Sequence, residues 1–272
     1  MISFPKAKIN LGLMITGKRQ DGFHEIETIF YPIGLCDALE FVERCKPGAP
    51  DHIKVTGIIP ESSTDTNLVI KALDRIRSRF NFPVLDIHLH KAIPIGAGLG
   101  GGSSDGACML KTLNRKYNFS LTDKELSAIA LELGSDCPFF IKGIPSLATG
   151  RGEILKDVDP VLKGKYLVLL NPGIHISTRE AYANCRPLKR SISLEEYYRQ
   201  PVEEWKDLIK NDFEDYAFSK YPDIKALKEE FYKSGAIFSL MTGSGSSVYG
   251  IFTGKPKLPV KLAKYLVWEG FL

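Results

Sequence analysis

The stretch KAIPIGAGLGGGSSDGA, residues 91–107, sets six glycines and two serines between a segment of alternating polarity and an amphipathic one. It constrains the fold more than any other feature, because ordering a run of glycines is costly unless the backbone needs unusual angles or the close approach of a ligand. Ahead of it, Leu85, Ile87 and Leu89 alternate with Asp86, His88 and His90, the pattern of a strand with one face in solvent. Behind it, SSDGACMLKTLNRKYN opens a helix. A loop running into a helix N-terminus presents unpaired amides and the positive dipole end, which together cradle an anion. Gly96, Gly98 and Gly101 satisfy the dinucleotide pattern G-x-G-x-x-G. That fold, however, leads in with a continuously apolar parallel strand at the chain's first βα turn, and neither condition holds. The other common phosphate loop fails because no Gly-Lys-Ser/Thr follows. A flexible glycine-serine linker is the plain alternative, and the framing by strand and helix argues against it.

Composition bounds the partners. With 272 residues the chain is long enough for two domains. A net charge of +4 without a run of like charges suits a small anion and gives no nucleic-acid footprint. Cys36, Cys45, Cys108, Cys137 and Cys185 are scattered and never in C-x-x-C spacing, so reduced thiols in a cytoplasmic protein are expected. His88 and His90 read as a solvated strand face, with no H-E-x-x-H pattern for a metal. The apolar run near the start is broken by Asn10, and no run approaches the ~20 residues of a membrane span, so neither a leader nor a membrane partner is expected.

Along the chain, KINLGLMITG (8–17) and ETIFYPIGLCDALEFVE (27–43) read as strands joined by the polar turn KRQDGFHE. DHIKVTG (51–57) reads as a strand, and TDTNLVIKALDRIRSRF (64–80) predicts a helix with Leu68, Val69, Ala72, Leu73 and Ile76 on one face. LTDKELSAIALELG predicts another, opened by a Thr122–Glu125 capping box and stopped at Gly134. After the polar segment DVDPVLKGK come a strand, KYLVLLNPG, two helices over SLEEYYRQPVEEWKDLIK and PDIKALKEEFYKSG, and a strand pair around SLMTGSGSSVYGIF. The pattern predicts two mixed α+β domains meeting near residue 157.

These motifs together carry a resemblance. PIGAGLGGGSS is similar to the phosphate loop of the GHMP small-molecule kinases, AKINLGL to their N-terminal motif and MTGSGSS to their C-terminal glycine motif. The resemblance implies a two-domain α+β fold. An N-terminal ribosomal-protein-like α/β domain, residues 1–157, would bind ATP and carry the chemistry; a ferredoxin-like α+β domain would span 158–272. The segments DGFHE, LGSDCPFFI and GRGEIL narrow the match within the superfamily. They imply transfer of the γ-phosphoryl of ATP, with Mg2+, to the 2-hydroxyl of 4-diphosphocytidyl-2-C-methyl-D-erythritol, by a monomer or homodimer. The alternatives are another kinase of the superfamily, acting on homoserine or a mevalonate derivative, or a non-catalytic nucleotide-binding module.

The resemblance also assigns residues. Asp136 in LGSDCPFF falls on the superfamily's catalytic aspartate and Lys8 on its lysine; without the resemblance they read as a turn aspartate and a strand-edge lysine. Pro94, Ile95, Gly96, Ala97, Gly98, Leu99, Gly100, Gly101, Gly102, Ser103 and Ser104 would hold the phosphates, with Asn67 on the adenine side. Phe23 and Tyr182 would sandwich the cytosine while His24 reads its edge, and Asn10, Thr178, Gly243 and Ser244 would complete the acceptor site. Tyrosine is the common residue at the Phe23 position, so stacking survives here while a hydroxyl is lost. No paired carboxylates mark a metal site; Ser103, Ser104 and Asp105 are the local candidates.

Overall fold

The strand that leads into the glycine loop forms as its alternation predicts. In the computed structural model, which describes residues 1–44, 50–58 and 67–272, β6 (Leu85–Lys91) buries Leu85, Ile87 and Leu89 and exposes His88 and His90. Cys45 and the expected helix start at Thr64 lie outside the described residues. The chain clusters into two units. The first comprises Met1–Ala7, Leu35–Ile95 and Gly100–Ile144; the second comprises Lys8–Gly34, Gly96–Leu99 and Pro145–Leu272.

In the first unit, β1 (Ile2–Ser3), β4 (Ala38–Glu43), β6 and β5 (His52–Gly57) form a sheet in that order, with β5 parallel to β6 and the other neighbours antiparallel. Among the described residues, four helices accompany it. In α1 (Leu68–Arg77), Val69, Ala72, Leu73 and Ile76 are buried as the helical period requires. Asn67 caps it by accepting from the Val69 amide at 2.9 Å. Next, α2 (Gly101–Tyr117) opens from Gly100, which is left-handed and has no side chain to cap the first amides. In α3 (Asp123–Leu133) both halves of the Thr122–Glu125 capping box form. The single turn α4 (Phe139–Lys142) follows.

The second unit contains two antiparallel sheets. One orders β2 (Lys6–Lys18), β3 (His24–Cys36), β7 (Ser146–Thr149) and β8 (Ile154–Asp157). Residues 7–15 of β2 are buried without a break, so this strand is covered on both faces. The other orders β10 (Phe238–Met241), β11 (Val248–Phe252), β9 (Tyr166–Leu170) and β12 (Leu266–Phe271). Its core joins Val168, Leu170, Met241 and Val248 to Ala217 of α8 (Glu214–Lys220) and to Leu227 and Phe231 of α9 (Pro222–Lys233). Shorter helices, α5 (Thr178–Ala183), α6 (Leu194–Tyr198) and α7 (Trp205–Leu208), lie between β9 and α8 in the chain.

Two expected elements are divided. The strand over 27–43 breaks at Asp37, and β3 and β4 enter different sheets. The cause is the buried Asp37 carboxylate, which accepts from the amides of Ala92 and Ile93 at 2.6 and 2.8 Å and so ties the break to the end of β6. The helix over SLEEYYRQPVEEWKDLIK is interrupted at Pro201, which lacks the amide a continuous helix needs; α6, a 3-10 turn over Val202–Glu204 and α7 take its place.

Candidate active site

The glycine loop builds its shape from alternation. Ile93, Ala97 and Leu99 are buried, and Gly96, Gly98 and Gly100 between and after them take left-handed angles with φ of 66°, 78° and 68°. A Cβ on Gly98 would lie 2.0 Å from the carbonyl oxygen of Thr242, and one on Gly243 would lie 2.9 Å from the Gly98 Cα. Residues 96–99 therefore meet the C-terminal glycine turn backbone to backbone, which only glycine permits. Beyond Gly100 the amides at the start of α2 face outward from a long helix without a side-chain cap, as an anion site requires.

Lys8 sits in the second unit, 3 % exposed, where β2 crosses this loop. Its backbone amide donates to Leu99 O at 3.0 Å, and its ammonium donates to Gly98 O at 3.0 Å and to Asn10 Oδ1 at 2.6 Å. The ammonium also lies 5.0 Å from the centre of the Phe30 ring. Asn10, read from the sequence as an acceptor contact, is 2 % exposed, and both ends of its carboxamide are engaged inside the protein.

Asp136 belongs to the first unit and occupies the turn between α3 and α4, where the Cys137 amide donates to Gly134 O at 3.1 Å. It is half-buried. The adjacent Cys137 thiol is hydrogen-bonded to Ser103, so the turn lies beside the first turn of α2. Burial pushes that thiol up to about 11, which makes it inert as a nucleophile.

The residues expected around the cytosine all fall in the second unit. Phe23 ends the tight turn Arg19–Phe23, 50 % exposed, with the Arg151 guanidinium 4.6 Å from its ring centre. His24 and Tyr182 stack on each other, ring centres 4.8 Å apart and planes 14° from parallel, and Tyr182 meets Phe213 edge-on at 4.9 Å. That spacing is ordinary stacking and leaves no room for an intervening ring. Burial and the nearby Lys18 hold the His24 imidazole below its ordinary range. The hydroxyls of Thr178 and Ser244 lie 3.5 Å apart. Asn67 spends its side-chain oxygen on the α1 cap.

Asp105, one of the local metal candidates, is engaged by a lysine. It is buried on the first turn of α2, and Lys91 donates to its Oδ2 at 2.6 Å and also to Asp37. Burial pushes the Asp105 carboxyl up to about 8, although Lys91 opposes the shift. Among the described residues no group of three or more His, Cys, Asp or Glu can hold a metal ion, and no helix is long and apolar enough to cross a membrane.

One functional segment carried no expectation. In NDFE (211–214), Asn211 Nδ2 donates to the carbonyls of Met241 and Gly243, each at 2.8 Å, and Glu214 accepts from the Met241 amide at 2.9 Å. Asp212 accepts from the Ile15 amide at 2.8 Å and from Arg190. Three polar side chains around Phe213 were the available signal; their partners, some 30 residues on or 200 back, were not.

Comparison with known proteins agrees with this geometry. Models described as GHMP kinases N terminal domain and GHMP kinases C terminal match residues 67–143 and 193–263, and the fold is the two-domain α+β arrangement of that class. Similar sequences include 4-diphosphocytidyl-2-C-methyl-D-erythritol kinases of Bacteroides fragilis and Parabacteroides distasonis. Both are 48 % identical, covering 95 % of this chain and 94 % of the former relative, and the whole of both chains for the latter. A crystal structure of 4-(cytidine 5'-diphospho)-2C-methyl-D-erythritol kinase superposes with a TM-score of 0.75 at 31 % identity, covering 92 % of this chain and 90 % of that one. Mevalonate kinase of Methanococcus jannaschii, at 16 % identity and a TM-score of 0.65, shares the fold. The chain belongs to the 4-diphosphocytidyl-2-C-methyl-D-erythritol kinase family.

Proposed function

We propose that this chain transfers the γ-phosphoryl group of ATP to the 2-hydroxyl of 4-diphosphocytidyl-2-C-methyl-D-erythritol, giving the 2-phosphate and ADP, in the non-mevalonate route to isoprenoid precursors. The observation that carries the reading is the fixed Lys8 ammonium, hydrogen-bonded to the carbonyl of Gly98 in the middle of the glycine loop. An alcohol is a poor nucleophile, so Asp136 orients it and accepts its proton as the phosphoryl group leaves ATP. The oxygen takes up the phosphorus, the bond from phosphorus to the β-phosphate oxygen breaks, and Lys8 stabilises charge on the transferring group. Loop amides and the α2 end hold the β- and γ-phosphates of ATP.

Magnesium enters on the nucleotide, where it offsets phosphate charge. With Asp105 committed to Lys91, the oxygens that this chain adds at the loop are the hydroxyls of Ser103 and Ser104. Phe23 and Tyr182 receive the cytosine and His24 its edge, with His24 and Tyr182 parting to admit it; Thr178, Gly243 and Ser244 line the acceptor. Residues 1–157 supply the nucleotide and catalytic half and 158–272 the other, in a cytoplasmic monomer or homodimer.

A coupled ADP-release assay across this substrate, homoserine and mevalonate tests the reading. Turnover is expected with the cytidylyl substrate, and turnover confined to either other alcohol overturns it. Asp136→Asn is expected to abolish turnover with nucleotide binding largely retained, and near-normal turnover removes Asp136 from the chemistry.

A further inference from the structure

A buried carboxamide can point either way, and its neighbours decide which end faces a cation. At Asn10 the decision starts from the backbone. Gly12 O can only accept, and the Thr28 hydroxyl donates to it at 2.6 Å. With its one proton spent there, Thr28 Oγ1 can only accept from its next neighbour. It does so from Asn10 Nδ2 at 2.8 Å, which turns Asn10 Oδ1 to the other side, where the Lys8 ammonium donates to it at 2.6 Å. Thr242 closes the ring from the C-terminal turn. Its Oγ1 accepts from the Asn10 amide at 3.0 Å and lies 3.2 Å from both Asn10 Oδ1 and Gly98 O, the same two oxygens that receive Lys8. Tyr249 donates to Asn10 O at 2.8 Å. Thr28, Thr242 and Tyr249 are fully buried, and the whole network lies inside one unit.

We propose that Thr28 and Thr242 are positioning residues for Lys8, acting through the carboxamide of Asn10, and that Asn10 serves this network rather than the acceptor alcohol. The proposal rests on the reading above that Lys8 acts on the transferring phosphoryl group. Thr28 sets the polarity of the carboxamide. Thr242 ties the two oxygens that receive the ammonium to the C-terminal glycine turn, so the placement of Lys8 depends on residues that touch neither substrate. In the dry interior a misdirected amide would present its own N–H groups to the ammonium, which displaces it. Positioning errors of this kind act on the transition state more than on ground-state binding.

The test compares Thr28→Val and Thr242→Val, which keep shape and lose the hydroxyl, with Thr28→Ser and Thr242→Ser, which keep it. Turnover, KM for ATP, KM for the alcohol and the melting temperature are read for each. Valine variants are expected to lose tenfold or more in kcat, with both KM values within about threefold of wild type. Serine variants are expected to return to within about threefold in kcat. A folded valine variant with wild-type kcat overturns the proposal. So does a loss confined to KM, or a serine variant as slow as its valine counterpart. Should one valine variant not fold, the other reads the same network from its opposite end. A wild-type chain that phosphorylates only homoserine or mevalonate removes the proposed acceptor, and the four variants are then read on that alcohol, so the two failures stay separate.

Discussion

Lys8 and Lys91 are both buried, 3 % and 5 % exposed, and both adjoin the glycine-rich segment, and they enter different hydrogen-bond networks. In the first unit Lys91 is clamped by the carboxylates of Asp37 and Asp105. In the second, the ammonium of Lys8 donates to an amide oxygen and a backbone carbonyl. Carboxylates offset the charge they hold, and amide and peptide oxygens add direction to the ammonium they receive. Local pattern does not separate the two lysines, since each stands near a strand end beside an alanine; only the motif resemblance singles out Lys8. Their partners separate them: Lys91 knots the break after β3 to the end of β6 and the start of α2, and Lys8 is aimed.

The comparison is exposed most severely by Lys91→Met. It strands Asp37 and Asp105 in the interior without their cation, and removing one member of a buried ion pair costs roughly 3–5 kcal/mol. Urea unfolding is expected to show that loss, with the clearest change in the first unit. A variant as stable as wild type would mean that the clamp is not what holds the β6–α2 corner together.

Lys8→Met should behave in the reverse way. Asn10 Oδ1 and Gly98 O keep Thr242 beside them at 3.2 Å, so the cost at these two acceptors is about 1 kcal/mol. The rate, by contrast, is expected to fall about 10²–10³-fold, the usual loss on deleting one group that stabilises developing charge. Steady-state kinetics beside a melting curve measure both. A variant that melts early and still turns over would erase the distinction between the two lysines.

How much of this was legible in the chain follows the range of each interaction. The alternation of β6, the Thr122–Glu125 box and the helix after the glycine loop are local, and periodicity or capping chemistry reveals them. The capping role of Asn67 is local too, since its side-chain oxygen accepts from an amide two residues on. The break at Asp37 was hidden because its partners, Ala92 and Ile93, lie more than 50 residues away. The meeting of Gly98 with Thr242 was hidden in the same way, and so was the service that Asn211 gives to the carbonyls of Met241 and Gly243. Each of those glycines and amides could be seen in the sequence. What could not be seen was that the two glycine loops shape each other.

The finest test of the comparison concerns the proton on Asp105. Its Oδ1 is buried without a hydrogen-bond partner, while Oδ2 receives Lys91. Burial is the leading cause that lifts this carboxyl to about 8, and Asp37 across the shared ammonium pushes the same way. Lys91 then pairs chiefly with Asp37, whose carboxylate also accepts from two backbone amides. The folded-state pKa stands above the ordinary value of 3.8, so the folded chain holds a proton that the unfolded chain has released. Stability from this group is therefore complete below about pH 4 and is lost as pH rises toward about 8. Asp105→Asn, a neutral stand-in for the protonated acid, removes that dependence. At pH 4 the variant is expected to match wild type within about 1 kcal/mol, and between pH 4 and pH 8 it should gain on wild type steadily. Unfolding free energies at the two pH values measure the difference. A variant that loses ground as pH rises would show that Asp105 is ionised in the fold, making Lys91 a full partner to two anions instead of one.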